Sequence, residues 1–269
     1  MNVSSPAVKV LVIGAAGELG RLVCDGLAAR GIAVRAFVRR EGAGRGGDVF
    51  VGDLADAASI AAACAGVDRM FLVSSPTREQ VVLETNAITA AERAGVERIV
   101  KISNIPIVGL DTGLHGSHRA IERRLAASPV AGVVLQPSFF TSVIDKQRDL
   151  IAHGKLVLPT GAGRIAWIDP RDIGAVAVEA LVRDDLGSPL HLTGPAALDG
   201  DEVAARLGVR RLDPPLPEWR SAAVAGGLDP WLADSTVHLY AAVARGALSD
   251  VTGTVARVLG RAPFDPFVS

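Results

Sequence analysis

Three glycines near the N-terminus are spaced so that their backbone could bind a phosphate group. They stand three residues apart, as GxxGxxG, between an apolar run and a segment with apolar residues at helical spacing. Glycine permits a tight turn and a close backbone approach, while free amides at a helix N-terminus favour an anion. A strand, turn and helix in this order predict a dinucleotide-binding loop, although an ordinary glycine-rich loop is the alternative. The residues predicted to contact the dinucleotide here are Gly14, Ala16, Gly17, Glu18, Leu19 and Gly20.

Two arginines indicate which dinucleotide the loop would bind. Arg39 and Arg40 follow the second apolar run, where an NAD site usually carries a carboxylate about 20 residues after the glycines. A guanidinium group can bind two phosphate oxygens at once. We therefore expect Arg39, with Arg40 as a second partner, to contact a 2′-phosphate, so that the cofactor is NADP(H). Two solvated arginines at a strand end are the alternative.

Polar residues at the next two strand ends complete the predicted cofactor site. Asp53 and Leu54 follow the third apolar run, where a carboxylate could meet an adenine amino group. Asp53 is equally well explained as a turn residue. Ser74 and Ser75 follow the fourth run and are expected to line the ribose and pyrophosphate side.

Candidate catalytic groups follow the fifth apolar run. Lys101 lies in this run and is a candidate catalytic group, and Ser103 and Asn104, which end it, are expected to contact the cofactor close to where a nicotinamide ring would lie. His118 could donate a proton to a reduced carbonyl or quinone, and Glu122 shares its helix face. The alternatives are a surface lysine at position 101 and, for both His115 and His118, a helix-capping or surface histidine with a solvated Glu122.

The residue types also exclude some chemistry. The only tyrosine, Tyr240, has no lysine four residues on, so the sequence predicts no proton-donating tyrosine–lysine pair. The five histidines are scattered without cysteine or carboxylate partners at ligand spacing, so no metal site is expected. Cys24 and Cys64 are isolated in alanine-rich helical patterns, which is typical of buried thiols in a reducing cytoplasm.

Composition restricts the partners. The formal net charge is −1 and no basic run is present, so a nucleic-acid partner is not expected. No N-terminal leader pattern is seen, and no apolar segment reaches the roughly 18 residues of a membrane span. The expected partner is a small-molecule substrate of a cytoplasmic protein, with a homodimer as one possible assembly. Nearly half of the residues are hydrophobic, 49%, which is enough for a large core.

Apolar runs alternate with amphipathic segments, which predicts an α/β protein with a doubly wound parallel sheet. The predicted strands are Val8–Ile13, Ala33–Val38, Val49–Val51, Arg69–Val73, Arg98–Ser103, Gly132–Gln136, Ile165–Ile168 and Leu190–Thr193. The predicted helices are Leu19–Ala29, Asp56–Ala65, Arg78–Ala94, Ser117–Ala127, Ser142–His153 and one opened by Asp169-Pro170, with a turn at Glu41–Gly47. We expect a Rossmann domain over 1–140 and a small, mostly helical, substrate-covering part over 141–269.

Taken together, the motifs resemble those of the NmrA-like atypical short-chain dehydrogenases, and the resemblance covers most of the chain. The motifs are Gly14-Ala-Ala-Gly17-Glu-Leu-Gly20, Val38-Arg39, Gly52-Asp53-Leu54, His118-Arg-Ala-Ile-Glu122-Arg-Arg-Leu125, Gln136-Pro137-Ser138-Phe139-Phe140, Ile168-Asp-Pro-Arg-Asp172-Ile173 and Leu192-Thr193-Gly194-Pro195. The resemblance implies an NADP(H)-binding Rossmann domain, with Pro137, Phe139 and Phe140 near the nicotinamide and substrate, and Asp172 as a structural helix residue. Gln136 departs from the arginine usual in this family, and the segment after Leu198 is shortened.

Three functions fit these features. The first is an NADPH-dependent reductase of a carbonyl, enone or quinone, with a histidine or water supplying the proton. The second, suggested by the missing tyrosine–lysine pair, is a redox sensor that binds NADP(H) without turnover. The third is an enzyme that uses the same fold for a redox-neutral step.

Overall fold

A computed structural model describes residues 8–44 and 47–267, and in it a seven-stranded sheet runs in the order β3-β2-β1-β4-β5-β6-β8. The pairs from β3 to β6 are parallel. The described strands are β1 (Lys9–Ile13), β2 (Ala33–Val38), β3 (Asp48–Val51), β4 (Arg69–Leu72), β5 (Arg98–Ile102), β6 (Ala131–Pro137), β7 (Lys155–Val157), β8 (Leu190–Leu192) and β9 (Arg210–Leu212). The strand order reverses between β1 and β4, as in a Rossmann sheet. The predicted fold class is therefore confirmed.

Helices connect these strands. The described helices are α1 (Glu18–Ala28), α2 (Ala57–Cys64), α3 (Gln80–Ala94), α4 (Gly113–Ala126), α5 (Ser142–Asp145), α6 (Arg148–Ala152), α7 (Pro170–Val182), α8 (Gly200–Arg206), α9 (Leu216–Ala225), α10 (Pro230–Ala244) and α11 (Thr254–Leu259). None of the helices in the described ranges is long and apolar enough to cross a membrane. The Glu41–Gly47 turn includes Arg45 and Gly46, which lie outside the described residues.

The chain forms two compact units whose segments alternate along the sequence. The first unit contains the described residues up to Ser103, together with His118–Leu135 and Ile173–Leu190. The second contains Asn104–Ser117, Gln136–Asp172 and the described residues from His191 onward. The sequence-based division at residue 140 assumes one boundary, whereas the contacts divide the chain at several places. The functions predicted for the two parts stay predictions.

The first unit is built around the central strands of the sheet. Val10, Leu11 and Val12 of β1 are fully buried, as expected for a parallel strand with both faces covered. Small residues let the helices pack closely. A Cβ at Gly26 of α1 would lie 2.8 Å from the side chain of Val178, and one at Gly174 would lie 2.7 Å from that of Leu22.

The second unit contains a two-stranded parallel sheet of β7 and β9 and a cluster of aromatic rings. The Phe139 ring lies 5.2 Å from Trp167 and 6.0 Å from Tyr240, measured between centroids. Asp172, at the start of α7, is fully buried, and its Oδ2 accepts a 2.7 Å hydrogen bond from the backbone N–H of Phe264. Asp172 therefore holds a distant segment of its own unit, in agreement with the structural role that the resemblance implies.

Two predicted elements are wrong. Residues 165–168 do not form a strand: Ile165 makes isolated bridges to Leu198 and Leu248, and Ile168 makes one to Phe140. These residues are buried, and an apolar run alone does not distinguish a strand from buried irregular backbone. The helix predicted over Ser142–His153 is divided into α5 and α6.

The division between α5 and α6 has a visible cause. The side-chain amide of Gln147 donates to the carbonyl of Val157 at 3.0 Å and accepts from its backbone N–H at 2.9 Å. These bonds tie the break to β7. Strands β7 and β9 are three residues long, too short to show an alternating pattern, and the sequence did not predict them.

Candidate functional site

A cleft of about 380 Å³ lies beside the glycine turn of the first unit. It is lined by residues that follow β1, β2, β3 and β4. Open α/β sheets bind ligands at the carboxyl ends of their strands, where the strand order reverses. The cleft is therefore at the position that this topology favours for a ligand, and the described residues that line it all belong to the first unit.

Two of the three glycines of the turn, Gly14 and Gly20, leave no room for a larger residue. Gly14 has φ +76°, and a Cβ there would lie 2.5 Å from the carbonyl oxygen of Val73. A Cβ at Gly20, inside α1, would lie 2.1 Å from the carbonyl oxygen of Gly14. These glycines let the start of the helix pack directly on the turn.

The N-terminus of α1 fits an anionic group. Gly17 is the N-cap residue, and it provides no side chain to accept from the first-turn amides. Gly17 and Glu18 line the cleft, together with Ala16 and Leu19. Uncapped amides and the positive end of the helix dipole are a phosphate-binding arrangement.

Arg39 is a cation that lines this cleft. It is exposed, lines the cleft at the end of β2, and makes no ion pair or side-chain hydrogen bond within the part of the chain that the structure describes. Arg40 is also exposed, but it is not among the described residues that line the cleft. The geometry therefore separates the two arginines, which the sequence alone could not do.

Asp53 and Leu54, which follow β3, also line the cleft. The Asp53 Oδ1 accepts a 2.9 Å hydrogen bond from the backbone N–H of Ala55, which is the turn role considered above. The carboxylate is exposed. A turn role and a ligand contact are thus compatible at this residue.

Ser74 and Ser75 line the cleft after β4. Ser75 is exposed, whereas the hydroxyl of Ser74 donates a 2.8 Å hydrogen bond to Oε1 of Glu84. Glu84 lies on α3 and is completely buried. Ser74 therefore connects the cleft to a buried charged group.

Lys101 is fully buried, so the surface-lysine alternative is wrong. Every residue of β5 is buried, which leaves its side chain no path to water. Its Nζ lies 2.9 Å from Oε2 of Glu84 and 3.3 Å from Nδ1 of His118, and it also donates to the carbonyl of Ile102. Lys101 and Glu84 form a buried ion pair.

The surface and helix-cap alternatives are also wrong for the histidines of α4. The helix begins at Gly113, four residues earlier than predicted, so that His118 lies inside it rather than at its start. His115 and His118 are both buried. A histidine placed next to a buried lysine belongs to the interior of the unit, not to its surface.

The other predicted residues occupy different surroundings. Ser103 donates to Oε1 of Glu122 and accepts a 2.9 Å hydrogen bond from Arg119. Asn104, Pro137 and Phe139 belong to the second unit. Their predicted contacts with a cofactor stay predictions. No group of metal-ligating side chains occurs in the described ranges.

The sequence-based reasoning missed Glu84, although a signal was present. Glu84 shares its helix face with Ala87, Ile88 and Ala91, which are three, four and seven residues further along α3. All three are buried apolar residues. A carboxylate on the apolar face of a helix must find a partner, and this could have indicated Lys101.

The comparisons with known proteins decide the family. A model of the NAD(P)H-binding family matches residues 14–184. The chain belongs to this family. It is 33% identical over 268 residues to an NAD(P)H azoreductase of Xenophilus azovorans, an alignment that covers 94% of this chain and 93% of the relative. The expected family resemblance is thereby confirmed, and the chain is an NAD(P)H-dependent oxidoreductase.

Two further comparisons cover nearly the whole chain. It is 30% identical over 272 residues to a (4-alkanoyl-5-oxo-2,5-dihydrofuran-3-yl)methyl phosphate reductase of Streptomyces griseus, covering 96% of this chain and 95% of the relative. Its fold is similar to that of an NADPH-dependent quinone oxidoreductase of Escherichia coli solved with NADPH. In that comparison the TM-score is 0.84, the identity is 24%, and 96% of each chain is covered.

Proposed function

We propose that this oxidoreductase uses NADPH to transfer hydride to a small quinone, enone or carbonyl substrate. The observation that carries the cofactor preference is the exposed guanidinium of Arg39, which lines the cleft after β2 and has no ion-pair partner among the described residues. A 2′-phosphate would give this group the bidentate anion that it lacks within the described residues. The names of the azoreductase and of the dihydrofuranone reductase support an acceptor with a conjugated double bond.

Each part of the cleft has a role in this proposal. The uncapped amides of α1 bind the pyrophosphate, Arg39 binds the 2′-phosphate, and Asp53 accepts from the adenine amino group. Ser75 is a further polar contact. The bound dinucleotide supplies the hydride, and the protein supplies position and exclusion of water.

We assign the proton donor to His118, with water as the alternative. Lys101 is a donor only, so its 3.3 Å contact with Nδ1 requires Nδ1 to accept, which places the proton of a neutral imidazole on Nε2. A His118→Gln variant is expected to lower turnover while NADPH affinity is kept. Its pH–rate profile should lose one limb, and an unchanged profile would remove His118 from the mechanism.

The cofactor preference is tested by measuring the affinities of NADPH and NADH separately. Arg39→Ala should weaken NADPH binding about 10- to 100-fold, because a charge-assisted bidentate pair is lost, and should leave NADH nearly unchanged. Arg40→Ala is the matched control, since it removes the same charge from the next residue. Equal losses for both cofactors in Arg39→Ala would contradict the assignment.

The reaction class is tested with a panel of quinones, enones and azo compounds. We expect oxidation of NADPH that depends on the acceptor. Tight NADPH binding without turnover by any acceptor would instead favour the redox sensor. Conversion of a substrate without net oxidation of NADPH would favour a redox-neutral enzyme.

A further inference from the structure

The carboxylate of Glu84 lies among three hydrogen-bond donors behind the wall of the cleft. Its Oε1 accepts from the hydroxyl of Ser74 at 2.8 Å and from the amide Nε2 of Gln80 at 3.1 Å. Its Oε2 pairs with Nζ of Lys101 at 2.9 Å. Glu84 and Lys101 are fully buried, whereas Ser74 lines the cleft. Ser74 is thus the only one of these four residues that lines it.

The donors and acceptors fix the direction of the Ser74 hydroxyl. A serine has one O–H proton and two lone pairs, and an ionised carboxylate can only accept. Because the proton of Ser74 is used on Glu84, its oxygen presents only lone pairs to the cleft. A ligand group at this point must therefore bring an O–H or N–H donor.

We propose that Glu84 is a positioning residue that sets Ser74 as an acceptor for a hydroxyl or amide group of the dinucleotide. This inference rests on the proposed binding of NADPH in the cleft. Ribose hydroxyls and the nicotinamide carboxamide are donors of such a ligand, besides the adenine amino group assigned to Asp53, whereas its phosphates offer only acceptors. The buried ion pair with Lys101 keeps the carboxylate in place, so that the hydroxyl direction is set before the cofactor binds.

A double substitution that removes both Glu84 and Lys101 tests this proposal without leaving one buried charge unpaired. Replacing both partners of a buried pair by apolar residues of similar volume is often tolerated, whereas removing one partner is strongly destabilising. In Glu84→Met/Lys101→Met, the hydroxyl of Ser74 loses its acceptor and is free to turn toward the cleft. If Glu84 served only to compensate the charge of Lys101, this double variant would bind NADPH as the wild type does.

The measurement is the dissociation constant of NADPH for the wild type, Ser74→Ala, the Met/Met variant and the triple variant. We expect Ser74→Ala to weaken binding about 3- to 10-fold, the range of one hydrogen bond. The Met/Met variant should show a similar loss, and the triple variant should lose no more than Ser74→Ala does. Such non-additivity is the sign that Glu84 acts through Ser74.

Glu92→Gln is the matched control, because Glu92 lies two turns further along α3 and pairs with Arg124 away from the cleft. It should leave the NADPH dissociation constant unchanged. Wild-type affinity in the Met/Met variant, or losses that multiply in the triple variant, would overturn the inference alone. Failure of the wild type itself to bind NADPH would overturn the proposed function and this inference with it. Thermal unfolding of every variant shows whether the fold is kept.

Discussion

The two units differ in what they bury. The first contains three aromatic residues, Phe37, Phe50 and Phe71, and it buries the charged pair of Glu84 and Lys101. The second contains all three tryptophans, the only tyrosine and four phenylalanines. Its rings pack edge-to-face, as Trp219 does on Tyr240 and Trp167 on Phe267.

This difference shows where the fold leaves room for chemistry. In the first unit, glycines bring backbone atoms close together and leave the amides of a helix N-terminus uncapped beside a cleft. In the second, large aromatic rings pack against one another, which gives much apolar burial. We therefore expect substitutions in the aromatic cluster to act mainly on stability, and those at the glycine turn to act on both stability and binding.

The largest effect is expected for Trp167→Ala in the aromatic cluster. Trp167 is almost completely buried, and its ring contacts Phe139 and Phe267. Removing the indole should lower the free energy of unfolding by about 3–5 kcal/mol, measured by urea denaturation. Trp167→Phe is the control. It keeps an aromatic ring and removes an indole N–H that has no hydrogen-bond partner in the described chain, so its loss should be much smaller. Similar losses for both variants would show that the ring packing is not what stabilises the cluster.

The second largest effect on the free energy of unfolding is expected for Gly20→Ala at the glycine turn. The added methyl group would lie 2.1 Å from the carbonyl oxygen of Gly14, and backbone atoms must move to admit it. The expected cost is about 1–3 kcal/mol of unfolding free energy. NADPH affinity should fall with it, because the helix N-terminus moves away from the turn.

Gly17→Ala is the matched control for stability. Its nearest contact would be 3.3 Å, to the same oxygen, and its φ is negative. Its melting temperature should stay close to that of the wild type. A Gly20→Ala variant that melts and binds NADPH as the wild type does would refute the packing argument.

The same contrast explains which features the sequence could predict. The strands of the first unit are buried apolar runs separated by helices, so periodicity located β1, β2, β4 and β5 within one residue at either end. The cleft residues follow those strands, and for that reason Arg39 was found. The break at Gln147 depends on a contact with Val157, and such a pairing between distant residues leaves no local pattern.

The buried network was missed for a related reason. Lys101 and Glu84 are seventeen residues apart and lie on different elements, and only the packing of α3 on β5 brings the charges together. The sequence showed each residue but not the pair. Lys101 cannot reach water because both faces of β5 are buried, and this burial exists only once the sheet has assembled.

A smaller effect on stability is expected for Glu92→Gln, which replaces a partly exposed carboxylate of the first unit. Its hydrogen bond with Arg124, assisted by Ser128, lowers its pKa from the ordinary value. A lowered pKa in the folded state gives stability that is present above the ordinary pKa and is lost as the pH falls through the folded one. Glu92→Gln should cost about 0.2–1 kcal/mol at neutral pH.

The difference between the wild type and Glu92→Gln should shrink in acid, when the wild-type carboxylate is protonated. Urea denaturation of both proteins at neutral and acidic pH measures this, and added salt should reduce the neutral-pH difference. A difference that stays constant with pH would show that the ion pair is not its source. Because the pair lies outside the buried network, NADPH affinity should not change.

The smallest effect, in this case on turnover, is expected for Tyr240→Phe. Burial raises the pKa of the Tyr240 phenol above its ordinary value, so the group is neutral and a poor proton donor. Its ring is held by packing, 6.0 Å from Phe139 and 5.1 Å from Trp219 between centroids. The variant should keep NADPH-dependent turnover within about twofold, since a general acid contributes a factor of about 100 or more. A loss of that size, with the fold intact by circular dichroism, would show that Tyr240 takes part in the reaction. The second unit would then contribute to catalysis and not mainly to stability.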